Sequence, residues 1–126
     1  MKTLLLGDLS PTDATNPLFE TGDKEALFTD TLPLFEGNDI NFVNLECALT
    51  HHDKDIKKFG PPLKATPKVA QVLKNMGVDY CGLSNNHVFD YGIKGINDTI
   101  TALDEAGIVH TGCGVDYEDS RKNLII

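Results

Sequence analysis

Apolar positions in this chain fall into short runs and spaced stripes, and the two patterns alternate from one end to the other. Residues 2–7, Lys-Thr-Leu-Leu-Leu-Gly, form a run whose length predicts a buried strand rather than a helix. Residues 9–24 are rich in Ser, Pro, Thr, Asp and Asn and read as a loop. Between Glu25 and Phe35, the positions Leu27, Phe28, Leu32, Leu34 and Phe35 predict a helix that breaks or restarts at Pro33. Gly37-Asn38-Asp39 makes a turn, and 40–46 then predicts a second strand ending at the carboxylate of Glu46. A polar loop follows over 47–62, closed by Gly60-Pro61-Pro62.

Thr66-Pro67 supplies a helix start, with Thr66 as cap and Pro67 at the first helical position. Val69, Val72, Leu73 and Met76 form its apolar stripe, and Gly77 ends it. A third strand is expected over 78–84, running into Asn85-Asn86-His87. Ile93, Ile96, Ile100 and Leu103 mark the next helical face, and Gly107 ends that helix. A fourth strand over 108–111 leads into Gly112-Cys113-Gly114, then a polar turn or short helix over 116–122. Residues 123–126 look like the start of another strand, so the chain stops within an apolar run, as a fragment or an exposed edge would. Strands alternating with helices predict an α/β fold with a mainly parallel sheet flanked by helices, in a single domain over 1–126.

Composition changes this picture little. The 126 residues are 40% apolar and 24% charged, as in ordinary soluble domains. A net charge of -8 argues against a nucleic-acid surface, which needs a basic face. Cys47, Cys81 and Cys113 lack the spacing of a disulfide framework or a zinc knuckle, and Cys81 reads as a small buried residue. No leader or spanning run is visible, which predicts a cytoplasmic protein. A membrane-associated or outer-face location stays open if a signal or anchor precedes these residues.

The chemistry gathers at strand ends. Gly7-Asp8, Asn44-Leu45-Glu46 and Asn85-Asn86-His87 close three successive predicted strands. Ligands in open α/β sheets bind outside the carboxyl ends of the strands. Two carboxylates, amide oxygens and an imidazole on one rim suit Mn, Fe or Zn ions, and Glu46 is placed to bridge two of them. Each residue also has a plainer reading. Asp8 can be a turn former or cap, and Asn85-Asn86 a turn with one residue in the left-handed region. Glu46 can be a partly buried, partnered carboxylate, and His87 a satisfied hydrogen-bonding histidine. His51 and His52 read as exposed loop residues and His110 as structural.

These residues resemble the CapA (PGA_cap) family, named for poly-γ-glutamate capsule biosynthesis. Gly7-Asp8, the stretch from Asn44-Leu45-Glu46 to Thr50, and Leu83-Ser84-Asn85-Asn86-His87-Val88-Phe89-Asp90-Tyr91-Gly92 carry the resemblance. The segment from Thr99 through Ala106-Gly107-Ile108 to Gly112-Cys113-Gly114 extends it. The family is similar to the calcineurin-like metallophosphoesterases, so the resemblance implies the N-terminal half of a metallophosphoesterase-like α/β sandwich with a two-metal centre. It implies Asp8, Glu46 and Asn86 as metal ligands and His87 as the catalytic histidine. Asn44, Asn85 and Asp90 would contact substrate or shape the loop.

Two departures accompany it. Ser10 stands where phosphoesterases of this class place a histidine, and the family's later histidine motifs fall beyond residue 126. This chain would then carry half of the centre. The implied function is metal-dependent hydrolysis in capsule or cell-envelope polymer metabolism, on a phosphoester or γ-glutamyl amide. A membrane-associated synthase complex is open as a partner, and oligomeric state is left open. The alternatives are a general phosphoesterase such as a nucleotidase, or a non-catalytic component that binds an anionic polymer.

Overall fold

Each long apolar run finds its place in one sheet. The computed structural model describes residues 1–125; Ile126 lies outside the described residues. Strands β1 (Thr3–Leu9), β2 (Ile40–Leu45), β5 (Tyr80–Gly82) and β6 (Val109–Thr111) form a four-stranded sheet in the order β1-β2-β5-β6, all parallel. Helices α1 (Asn16–Thr21), α2 (Lys24–Phe28), α3 (Lys68–Met76), α4 (Gly92–Ala106) and α5 (Tyr117–Ser120) lie between and after them. Two-residue strands β3 (Ala48–Leu49) and β4 (Lys64–Ala65) pair in parallel as a small second sheet. The α/β class and the parallel sheet are as the sequence predicts.

Alternation along β2 shows how the sheet is used. Val43 and Leu45 are fully buried on the helix side with Cys81 and Leu83, against Val69, Leu73 and Leu103. Burying each such aliphatic side chain contributes roughly 1.5–3 kcal/mol. The intervening residues point to the opposite face. There the register sets Leu5, Phe42, Tyr80 and Val109 in one row, with Leu5 and Val109 exposed.

Several expectations need correction. A helix, α1, occupies part of the predicted 9–24 loop. Pro17 suits its first turn, Gly22 closes it in the left-handed conformation, and Phe19 is buried. Phe19 meets Phe28 edge-on, with centroids 6.1 Å apart. The 25–35 helix breaks at Thr29 (φ 42°), where α2 gives way to a 3-10 helix over Thr29–Phe35 that contains Pro33. The Thr66 hydroxyl donates to the Glu20 carboxylate and caps nothing, and α3 begins at Lys68. The third strand is shorter than 78–84. Residues 123–125 form no strand.

The largest correction concerns 47–62. Cys47, Ala48, Leu49 and Thr50 are buried there, because β3 inserts between β4 and α4. The face of α4 that meets β3 is not the predicted isoleucine stripe. Ile93 is exposed and Ile96 and Ile100 are half-buried, whereas Gly95, Thr99, Ala102 and Leu103 are buried. Gly95 faces Ala48, where a Cβ would make an ordinary 3.5 Å contact, but the same Cβ would lie only 2.7 Å from the Tyr91 Cβ, so the start of the helix is what demands a glycine. The Thr99 hydroxyl then donates to the Gly95 carbonyl (2.7 Å) and accepts from the Leu49 N–H (2.8 Å).

Candidate functional site

Register brings the first two strand ends together. An irregularity between Leu5 and Asp8 shifts β1 so that Asp8 sits opposite Asn44, which in turn sits opposite Gly82. Asn44 Nδ2 donates to Asp8 Oδ1 at 2.6 Å. Asn44 Oδ1 accepts from Asn85 Nδ2 at 3.3 Å, so both ends of the Asn44 amide are committed. Asn85 Nδ2 also donates to the Leu45 carbonyl (2.8 Å), and Asn85 Oδ1 accepts the N–H groups of His87 (3.1 Å) and Val88 (2.9 Å). Asn85 thus stitches the end of β2 to the turn after β5. Gly82 is small for a reason: a Cβ there would lie 2.8 Å from Phe42 Cζ.

A second cluster is built on Asp90, whose side chain is 0% exposed. Its Oδ2 accepts from His87 Nδ1 (2.7 Å) and the Leu63 N–H (2.7 Å), and its Oδ1 accepts from Lys58 Nζ (2.5 Å). Its backbone carbonyl takes the Ile56 N–H at 2.9 Å. Burial alone would push the Asp90 carboxyl up. Hydrogen bonds from Lys58, His87 and the Leu63 N–H, together with the lysine charge, more than offset this and hold it below the usual carboxylate range. A nitrogen 2.7 Å from a carboxylate oxygen carries the proton between them, so Nδ1 is the protonated ring nitrogen of His87 and Nε2 the other. Among the described residues no group hydrogen-bonds Nε2.

The expected metal ligands are placed less tightly. Asp8 and Asn86 are exposed and Glu46 is half-buried. Glu46 follows directly on β2, and its backbone N–H donates to the Leu9 carbonyl at 2.9 Å, which sets it at the end of β1. The oxygen donors of Asp8, Glu46 and Asn86 suit a hard or borderline divalent ion. Among the described residues, however, no group of three or more His, Cys, Asp or Glu side chains is arranged to hold one. Cys47, next to Glu46, is buried, and burial pushes its thiol up to about 12. Burial does the same to Cys81. A cavity of about 570 Å³ opens next to the end of β1, with Ser10, Pro61, Lys64 and Tyr91 on its walls.

Lys58 and Leu63 were not among the residues singled out from sequence. Nothing in the polar run around them marks either, since their partner lies some thirty residues further on. His51 is exposed as expected, and His52 is half-buried. In β6, His110 Nε2 lies 3.1 Å from Asp104.

A family model described as "Bacterial capsule synthesis protein PGA_cap" matches residues 2–126. The "PGA biosynthesis protein CapA" of Bacillus subtilis is 25% identical over 125 residues, which cover 94% of this chain and 32% of that protein. The "Capsule biosynthesis protein CapA" of Bacillus anthracis is 38% identical over 63 residues, 50% of this chain and 15% of the relative. A "Probable polyglutamine synthesis accessory protein" of Mycobacterium tuberculosis is 30% identical over 88 residues, 70% of this chain and 23% of the relative. The chain thus spans no more than about a third of the length of these relatives.

Proposed function

This chain belongs to the bacterial capsule synthesis family PGA_cap, and from that premise we propose that it carries one side of a metal-dependent hydrolytic site acting on capsule or cell-envelope polymer. The observation that supports this reading is His87. Its ring is held by a buried carboxylate, in the turn that Asn85 ties to Asn44 and to the Leu45 carbonyl at the end of β2. A structural histidine has no need of so costly a partner as a fully buried, charge-paired aspartate.

In this reading Asp8, Glu46 and Asn86 hold divalent metal, with Mn, Fe or Zn matching the donors and two ions in the complete centre. Bound there, the metal supplies Lewis acidity and an activated water. The chain's own residues do the rest. Asn44 fixes the Asp8 carboxylate through their 2.6 Å hydrogen bond, and Asn85 fixes Asn44. Asp90 keeps the proton on Nδ1 of His87, which leaves Nε2 to meet a ligand and stabilise charge or move a proton at the leaving group. The substrate is an anionic polymer, through a phosphoester or a γ-glutamyl amide. A second reading is a polymer-binding component without catalysis, in which these residues hold no metal.

A Mn²⁺ titration of the full-length protein followed by electron paramagnetic resonance separates the two. Saturable binding that is lost in Glu46→Ala and retained in Asp116→Ala is expected. Absence of binding at saturating Mn²⁺ would remove the metal reading. His87→Asn should keep the bound metal while losing turnover.

A further inference from the structure

The segment 50–63 contains no helix or strand, yet it crosses the strand ends beside His87. Its first residues are tied elsewhere, Thr50 to Ala65 and Asp98 and His52 and Asp53 to Lys64, but the attachments from Ile56 onward converge on one residue: Ile56 N–H on the Asp90 carbonyl, Leu63 N–H on Oδ2, and Lys58 Nζ on Oδ1. Lys58 alone among them also reaches the histidine turn. Its ammonium donates to the Asn86 carbonyl at 3.4 Å, while the protonated His87 Nδ1, 3.2 Å away, is a second donor and accepts nothing from it; the lysine side chain is 18% exposed. An exposed lysine spends its side-chain freedom for little return. A part-buried ammonium against a fully buried carboxylate is a different case, because removing either charge leaves the other without a partner.

We propose that Lys58 is the positioning residue of this site: it locks the 50–63 segment to the histidine turn and holds the Asp90 carboxylate in the orientation that fixes the His87 ring. The geometry leaves little alternative for Asp90. Oδ2 must face both Leu63 and His87, and this is possible only while Oδ1 is turned toward Lys58. Without the ammonium, Oδ1 is left buried and unpaired, so the carboxylate is held through Oδ2 alone and the ring's partner is less firmly fixed. The Asn86 carbonyl loses a donor in the same step. Movement of the 50–63 segment is thereby tied to movement of the imidazole. This deepens the reading of His87 as the group that meets substrate, and it is tested without metal or substrate.

In the full chain, labelled at histidine nitrogen, the wild-type His87 Nδ1–H should give a slowly exchanging, strongly downfield proton resonance. Lys58→Met should abolish that resonance. It should also raise amide hydrogen exchange over 54–62 by on the order of tenfold or more, as for loss of a local closing contact. Exchange in α3 should stay at its wild-type rate, which separates loss of the clamp from general destabilisation. Should Lys58→Met fail to fold, the double variant Lys58→Met/Asp90→Asn leaves no buried charge unpaired and should show the same loosened 54–62 segment. Lys58→Arg, which keeps a cation, should restore much of the downfield signal. A sharp His87 resonance with unchanged 54–62 exchange in the methionine variants would overturn the proposal. Failure of Mn²⁺ to bind would bear on the metal reading alone.

Discussion

At the scale of single residues, Asp90 does more than any other to set the site. It is buried, it is charged, and its partners come from both the loop before it and the turn that precedes it by three residues. Its folded pKa lies below the ordinary carboxylate value, so its protonation is linked to stability. The stabilisation is fully present above the unfolded value of roughly 4, and it is lost as pH falls through the lower folded value. Thermal unfolding followed from pH 7 downward should therefore show wild type losing stability steeply below about pH 4. Asp90→Asn, already without the charge, should be less stable at neutral pH and show a shallower acid slope. At neutral pH the difference should be on the order of 3 kcal/mol, the cost of stranding the partner of a buried pair. The sequence marked Asp90 as a residue that contacts substrate or shapes the loop, and not as the anchor of the histidine. It could not mark Lys58, because a lysine in a polar run differs from a solvated one only through a partner far along the chain.

Elements were legible where local chemistry decides them. Gly77 and Gly107 both take the left-handed conformation at helix ends, as a glycine following an amphipathic stripe suggests. Runs of apolar residues ending in Asp8 and Glu46 became adjacent parallel strands. Elements decided by tertiary contact were not legible. Ala48-Leu49 is too short to read as a strand, and it exists because β4 and α4 surround it. The α4 stripe was misread for the same reason: close packing selects Gly95, Thr99 and Ala102 over larger isoleucines that remain at the rim. The contact between these elements is testable at Thr99. Thr99→Val keeps the shape but strands the buried Leu49 N–H, and should cost about 1–3 kcal/mol in denaturant unfolding. Thr99→Ser retains the hydroxyl and should cost clearly less. A larger loss in Thr99→Ser than in Thr99→Val would show that the methyl group, and not the hydrogen bond, joins α4 to β3.

Taken as a whole, the described molecule has a covered face and an open one. Helices bury Val43, Leu45 and Cys81, while the opposite face shows the row of Leu5, Phe42, Tyr80 and Val109, with Leu5 72% exposed. Strand β1 is at the edge of the four-stranded sheet, and an apolar edge strand is a template for pairing with another chain. Leu5→Lys should therefore lower concentration-dependent light scattering by this chain without lowering its melting temperature. Scattering unchanged by the substitution would place self-association elsewhere. Among the described residues no helix is long and apolar enough to cross a membrane.

The parallel register also governs how the chain reaches this state. Thr3 must find Ile40, Phe42 must find Tyr80, and Tyr80 must find Val109 before the four-stranded sheet gains its ladder bonds. No hairpin offers a cheaper start, so each pairing first incurs the entropy of closing a long loop. Helices α3 and α4, whose hydrogen bonds are local, are the segments able to form ahead of the sheet and hold β5 between them. The site is assembled last along this route, since Asp8, Asn44 and Asn85 come into reach only when β1, β2 and β5 have all docked. A refolding experiment that follows His87 should thus report the slowest phase of the molecule.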